Sequence, residues 1–214
     1  MTDKLLDIIK SEYTLSDIDV GEFSSIKANG MKFDIRAYYA KGLGHVSVMK
    51  ASGFFGLMKM DTLIINPKEK DLPLYSYDRI FAMGNDTLIV ELYDTMAGEL
   101  DVKMMNDVKE EYSHLAERDP GKHWYDDIKL DVSISKKGKK KDREEFDSFT
   151  IKHFEAYLDS LVANGGNLSR KLEKSAYYVN GLLEKGGPST DVFKKSLGID
   201  KTAKLFHEIL FGIE

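Results

Sequence analysis

The sequence predicts an α+β fold, with a central antiparallel sheet flanked by helices as a three-layer α/β/α sandwich. Three observations carry this expectation. Between Met31 and Asp94, strand-like segments follow one another with short connections. Such connections favour antiparallel pairing, because parallel strands need a crossover of about a dozen residues. From Glu144 onward the apolar spacing becomes helical, and a further amphipathic helix opens the chain, so helices from both ends are available to cover both sheet faces.

The elements follow in order. Residues 3–13 set Leu5, Leu6, Ile8, Ile9 and Tyr13 on one helical face, with Thr2 or Asp3 as the cap. Residues 31–40 place Met31, Phe33, Ile35, Ala37 and Tyr39 on one face of a strand. Residues 45–51 and 57–65 read as further strands, separated by Gly53 and Gly56. Segments 76–83 and 86–94 form a hairpin around Gly84-Asn85, residue types that tolerate positive φ. The segment 101–118 predicts a helix ending before Asp119-Pro120-Gly121, and the alternation over 127–134 predicts a last strand. The basic turn 136–141 (KKGKKK) follows. Helices are then expected at 145–163, at 168–184, after Pro188 and at 200–210, punctuated by Asn164-Gly165-Gly166-Asn167 and Gly186-Gly187-Pro188. No internal repeat or low-complexity linker interrupts the pattern, which fits one domain over residues 1–214.

Composition narrows the function. An apolar fraction of 42 % is that of an ordinary folded chain. There is no cysteine, so disulfides, thiolate metal sites, iron–sulfur clusters and a cysteine nucleophile are excluded. The five histidines show no metal-ligand spacing. A net charge of −5 argues against nucleic acid as a partner. No apolar run is long enough to span a bilayer, and the N-terminus lacks the apolar core of a secretion signal. A cytoplasmic protein with no membrane partner is expected. The run Gly53-Phe54-Phe55-Gly56 is no phosphate loop, lacking the Lys-Ser/Thr and the following helix.

The stretch with most chemical content is Asp71 to Asp78 (DLPLYSYD), a turn at Pro73 that launches a strand. Asp78 interrupts a run that is otherwise aromatic and apolar (Leu74, Tyr75, Tyr77, Ile80, Phe81), and a carboxylate there is costly to bury without a partner. Two readings stand: a turn cap or Arg79 ion pair, or a group with chemical work to do. Tyr75 and Tyr77 flank it, one expected on the pocket side and the other on the opposite layer. Asp94 reads as a turn carboxylate. Trp124 reads equally as core or as pocket wall, and the run 136–141 as a solvated turn or as an attraction for an acidic electron donor.

Three patches resemble the ferredoxin-dependent bilin reductases. The first is Pro67, then Asp71-Leu72-Pro73, then Asp78, with the next strand ending at Asp94. The second is Trp124-Tyr125-Asp126-Asp127-Ile128, and the third is VFKKSLG (192–198) followed by AKLFHEILFG (203–212). The resemblance implies a linear tetrapyrrole such as biliverdin held between the sheet and the C-terminal helices. It implies one-electron delivery from external ferredoxin or flavodoxin, no metal, no tightly bound cofactor, and protons supplied by the protein. Asp78 takes the proton-donor role. The slot where several members carry His falls on Thr62, with Asp61 beside it, and strand alternation lets only one of the two face the pocket. A family Glu corresponds to Ser47, and a family Asp falls on Gly187, with Asp191 a turn away. The catalytic candidates are therefore Asp78 and Asp61, and the substrate-binding candidates Thr62, Ser47, Tyr75, Tyr77, Trp124 and Asp191. With so few of the family's ionisable groups in place, a tetrapyrrole-binding protein without redox turnover is the alternative. An interaction domain on the same fold is a third.

Overall fold

A period-two burial pattern builds the sheet. Along Met31–Lys41, apolar residues alternate with exposed polar ones for seven positions, which puts one set of side chains on each face. The computed structural model describes residues 1–163, 168–187 and 189–213. Its strands are β1 (Thr14–Ile18), β2 (Ser25–Ala28), β3 (Met31–Lys41), β4 (Gly44–Gly53), β5 (Met58–Pro67), β6 (Leu74–Ala82), β7 (Asn85–Tyr93), β8 (Glu99–Leu100), β9 (Ile134–Lys139) and β10 (Val162–Ala163). Its helices are α1 (Thr2–Glu12), α2 (Lys103–Glu111), α3 (Arg143–Asp159), α4 (Leu168–Lys185), α5 (Thr190–Leu197) and α6 (Ile199–Lys204). The main sheet is antiparallel, in the order β1-β3-β4-β5-β6-β7-β9, with β2 beside β1 along the same edge of β3. β8 and β10 form a small separate pair. The expected sandwich of α+β class is therefore present.

The two sheet faces bury different layers. Val46, Val48, Leu63, Leu88 and Val90 pack with Leu5 and Ile9 of α1 and Phe146, Phe149 and Phe154 of α3. On the reverse, Phe33, Ile35, Met49 and Ile64 pack with Val179 and Leu182 of α4, Phe193 of α5 and the C-terminal residues Leu205 to Phe211. Removing this apolar surface from water drives the layers together.

An ion pair is sealed inside the first layer. Arg79 and Asp86 are both fully buried and meet diagonally across the β6–β7 hairpin, where Arg79 lies opposite Leu88 and Asp86 opposite Phe81. Arg79 Nε donates to Asp86 Oδ1, and Nη2 donates to Oδ2 at 2.7 Å. The guanidinium also lies 4.7 Å from the Phe146 ring centroid. Arg79 therefore pairs with Asp86 and not with Asp78.

Several boundaries differ from expectation. α1 begins at Thr2 with no side-chain cap hydrogen bond. The β6–β7 turn centres on Met83-Gly84, at φ 50° and 79°, not on Gly84-Asn85. α2 ends at Glu111, before the polar tail of the 101–118 segment. Residues 127–133 are not a strand; the last strand of the sheet is β9, made largely of the basic run. Lys136 lets it form, because its ammonium is buried at the sheet edge and donates to Leu115 O at 3.0 Å and Glu117 Oε1 at 2.5 Å. β1 and β2 have too little apolar alternation to stand out in the sequence. The expected punctuation at 164–167 and Pro188 lies outside the described residues.

Breaking a buried ion pair from one side leaves a bare charge in the core. Arg79→Met is expected to cost about 3–5 kcal/mol in urea unfolding, and the double variant Arg79→Met/Asp86→Leu to recover most of it.

Candidate functional site

The second sheet face carries the polar groups. Thr62 of β5 and Asp78 of β6 are direct register partners. Thr62 Oγ1 donates to Asp78 Oδ1 at 2.5 Å. Ser76 and Glu91 are register partners one step along the same face. The four side chains line the floor of a crevice between the sheet and the C-terminal helices, containing about 550 Å³ of empty space, part of it open to solvent.

Aromatic residues make one wall. Tyr93 of β7 stacks on Tyr178 of α4 with ring centroids 4.1 Å apart, and Tyr125 meets Tyr93 edge-on at 5.5 Å. Glu91 accepts the Tyr93 hydroxyl at 2.6 Å and lies 3.7 Å from Lys129 Nζ. Phe206, Leu210 and Phe211 close the other side.

The C-terminal segment reaches the crevice by a built-in latch. After α6 the helix widens to a π-helix over Leu205–Leu210, and Phe211 N–H donates back to Phe206 O. Carbonyls at a helix end have no partner within the helix. Here three buried sheet side chains catch them: His45 Nε2 at Ile209 O, Ser47 Oγ at Leu210 O and Asn66 Nδ2 at Phe211 O, each at 2.8 Å. Burial pushes the His45 imidazole down to about 4, so at neutral pH it is uncharged and its Nε2–H donates. Gly212 has φ 55°, and a Cβ there would lie 2.3 Å from His45 Nδ1, so glycine alone fits this close approach.

Burial pushes the Asp78 carboxyl up to about 6, and the charge on Glu91 adds to the rise; the Thr62 hydrogen bond opposes it. Among the described residues, no hydrogen bond occupies Asp78 Oδ2. The arrangement is a carboxyl that holds its proton into the near-neutral range, with one oxygen free toward the crevice. That is what a general acid requires.

The sequence candidates divide. Asp78 and Thr62 meet as expected. Asp61 does not join them: it points to the first face, where Met1's ammonium lies 3.1 Å from its Oδ2. Tyr75 and Tyr77 are two residues apart on one strand, so both share a face, and it is the wrong one. Tyr75 packs on Tyr157 and Phe154 beneath α3, and both tyrosines are fully buried there. Ser47 lies on the correct face but is engaged by Leu210 O and does not line the crevice. Trp124 stands behind the wall: its indole N–H donates to Gly186 O at 2.9 Å, and its ring fills the space where a Cβ on Gly181 would be. Asp191 is exposed on α5, while its neighbours Ser189 and Thr190 line the crevice. A Cβ on Gly187 would lie 2.6 Å from Leu182 Cδ2, so a side chain there requires that leucine methyl to turn aside. Asp94 is a turn carboxylate, accepting from Met96 N–H and Lys174 Nζ.

Glu91, Tyr93, Tyr125 and Tyr178 were not anticipated. Glu91 carried the signal that singled out Asp78, a carboxylate inside an apolar strand (LIVEL). The tyrosines carried none, since buried aromatics are usual core residues.

No protein-family model matches the chain, and no curated protein matches it in sequence. Solved structures do match in shape. A crystal structure of selenomethionine phytochromobilin synthase from tomato, in complex with biliverdin, superposes with a TM-score of 0.74 at 15 % identity. The match covers 99 % of this chain and 82 % of that one. The two chains share a fold.

A carboxyl held above its ordinary 3.8 stabilises the native state below that value, and the contribution is lost as pH rises through about 6. Asp78→Asn is expected to flatten native stability over this window, read by denaturant unfolding between acid and neutral pH. Thr62→Val removes the hydrogen bond that favours the anion, so the Asp78 carboxyl resonance should titrate higher in carbon NMR. Wild-type titration near the ordinary value would contradict this electrostatic picture.

Proposed function

We propose that this protein binds a linear tetrapyrrole such as biliverdin in the crevice over Asp78 and reduces it with electrons from an external ferredoxin or flavodoxin. One observation carries the reading. A carboxyl tuned to about 6 is set in an aromatic-walled crevice, in a fold shared with a biliverdin-bound enzyme. Saturating a bilin double bond takes two electrons and two protons. With electrons arriving singly, no tightly bound cofactor is needed, and the chain's work is to position the pigment and supply protons.

Asp78 donates a proton to a pyrrole nitrogen or lactam oxygen. At neutral pH a group with this pKa keeps a useful protonated fraction and regains its proton readily. Thr62 orients the carboxyl by holding Oδ1, which leaves Oδ2 to the pigment. Stacked Tyr93 and Tyr178 offer flat aromatic surface to conjugated rings. Glu91 supplies a second carboxylate facing the pyrrole nitrogens, placed by the Tyr93 hydroxyl.

A second reading is pigment binding without turnover. Thr62 occupies the slot for a family His, and Gly187 the slot for a family Asp. Threonine cannot shuttle protons near neutral pH.

Mixing the purified protein with biliverdin at micromolar concentration should change the visible spectrum; an unchanged spectrum removes both readings. With reduced ferredoxin supplied, reductase activity yields a product two hydrogens heavier by mass spectrometry, whereas simple binding yields none. Asp78→Asn should retain the spectral shift while turnover falls about 10²-fold, the scale of a lost general acid. Undiminished turnover in that variant would remove Asp78 from the donor role.

A further inference from the structure

At one end of the sheet, hairpin turns lie side by side. Register brings them there: Met31 pairs with Gly53, Met58 with Ala82, and Asn85 with Lys139. The β4–β5 and β6–β7 turns touch, Met83 N–H donating to Leu57 O at 3.3 Å. Their tips carry large apolar side chains in water. Phe55 is fully exposed, Met83 is 86 % exposed, Leu57 63 % and Phe54 52 %.

The backbone beneath them is unusual. Phe54, Phe55 and Met83 sit at φ 51°, 56° and 50°, a region that bulky side chains enter only under strain and that glycine enters freely. Phenylalanine here helps neither the turn nor the core. It places an apolar group beyond the end of the sheet.

The surrounding charge is positive on a protein of net −5. Lys59, Lys139, Lys140, Lys141 and Arg143 are exposed around these turns. Two nearby acids are neutralised by cations, Asp86 by Arg79 and Asp61 by the N-terminal ammonium, which leaves Asp142 and Glu144 against five basic side chains. The lysines alone fit an acidic electron donor, but they leave the apolar tips unexplained. Separate protruding side chains suit a fluid layer that takes each one individually, whereas a folded partner needs a matching socket for each.

We propose that this end of the sheet docks the protein onto an anionic lipid surface. Phe54, Phe55, Leu57 and Met83 enter the interfacial layer, and the basic side chains rest among acidic headgroups. This is peripheral contact: among the described residues, no helix is long and apolar enough to cross a membrane. The expectation of no membrane partner rested on spanning segments and a secretion signal, and neither bears on peripheral contact. The inference is independent of the crevice chemistry.

Co-sedimentation of the full chain with phosphatidylcholine vesicles, with and without phosphatidylserine, tests it. Binding is expected with phosphatidylserine, weaker without it, and reduced by salt. The variant Phe55→Gly/Leu57→Ser should bind about tenfold or more weakly. Glycine suits the backbone at residue 55, so urea unfolding should show an intact fold. Lys140→Glu/Lys141→Glu should abolish the preference for the acidic lipid. Failure to sediment with either vesicle at low salt overturns the proposal, as does binding indifferent to the Phe55/Leu57 change. Capture of an acidic ferredoxin by these apolar residues, without vesicle binding, reassigns the surface to a protein.

Discussion

Three hydrogen bonds to consecutive carbonyls hold the site together. His45, Ser47 and Asn66 reach from β4 and β5 to Ile209, Leu210 and Phe211. They satisfy main-chain groups that a helix end leaves open, in a place closed to solvent, where an unpaired carbonyl is costly. Asn66 extends the network to α4, accepting from Ser175 Oγ at 3.0 Å. The latch fixes the height of Phe206, Leu210 and Phe211 above the sheet, and therefore the size of the crevice over Asp78. A glycine at 212 is the steric condition for it.

Two aspartates on neighbouring strands show how environment sets the task of a side chain. Asp86 faces the first layer, meets the Arg79 guanidinium with both oxygens, and is neutralised in place. Asp78 faces the second layer and has only a threonine hydroxyl to stabilise its charge. Burial therefore favours its proton, and Glu91 strengthens the preference. Shifting either strand by one residue would move its aspartate to the opposite layer. The alternation that builds the core also decides which carboxyl is structural and which is available for chemistry.

Much of this was legible in the chain. The five consecutive antiparallel strands from Met31 to Tyr93 follow from alternation and short connections, both local properties. Asp78 stood out because a carboxylate in an apolar run needs a reason, and Glu91 deserved the same inference. Tyr75 and Tyr77, two positions apart on one strand, share a face by alternation, and both enter the first layer. Lys136 misled differently. A lysine in a basic run reads as solvated until the Leu115 carbonyl and the Glu117 carboxylate are brought to the sheet edge to receive it.

Local pattern by itself determined the class of fold, most of its strands and helices, and the strand position of Asp78, because propensity and alternation act between near neighbours. Tertiary structure alone decided that Asp61 meets the N-terminus 60 residues away and not the crevice. It alone drew Tyr178 onto Tyr93 and seated Trp124 against Gly181. Packing partners from distant segments are chosen by shape and by unsatisfied hydrogen-bonding groups, and neither is written in the spacing of residues along the chain.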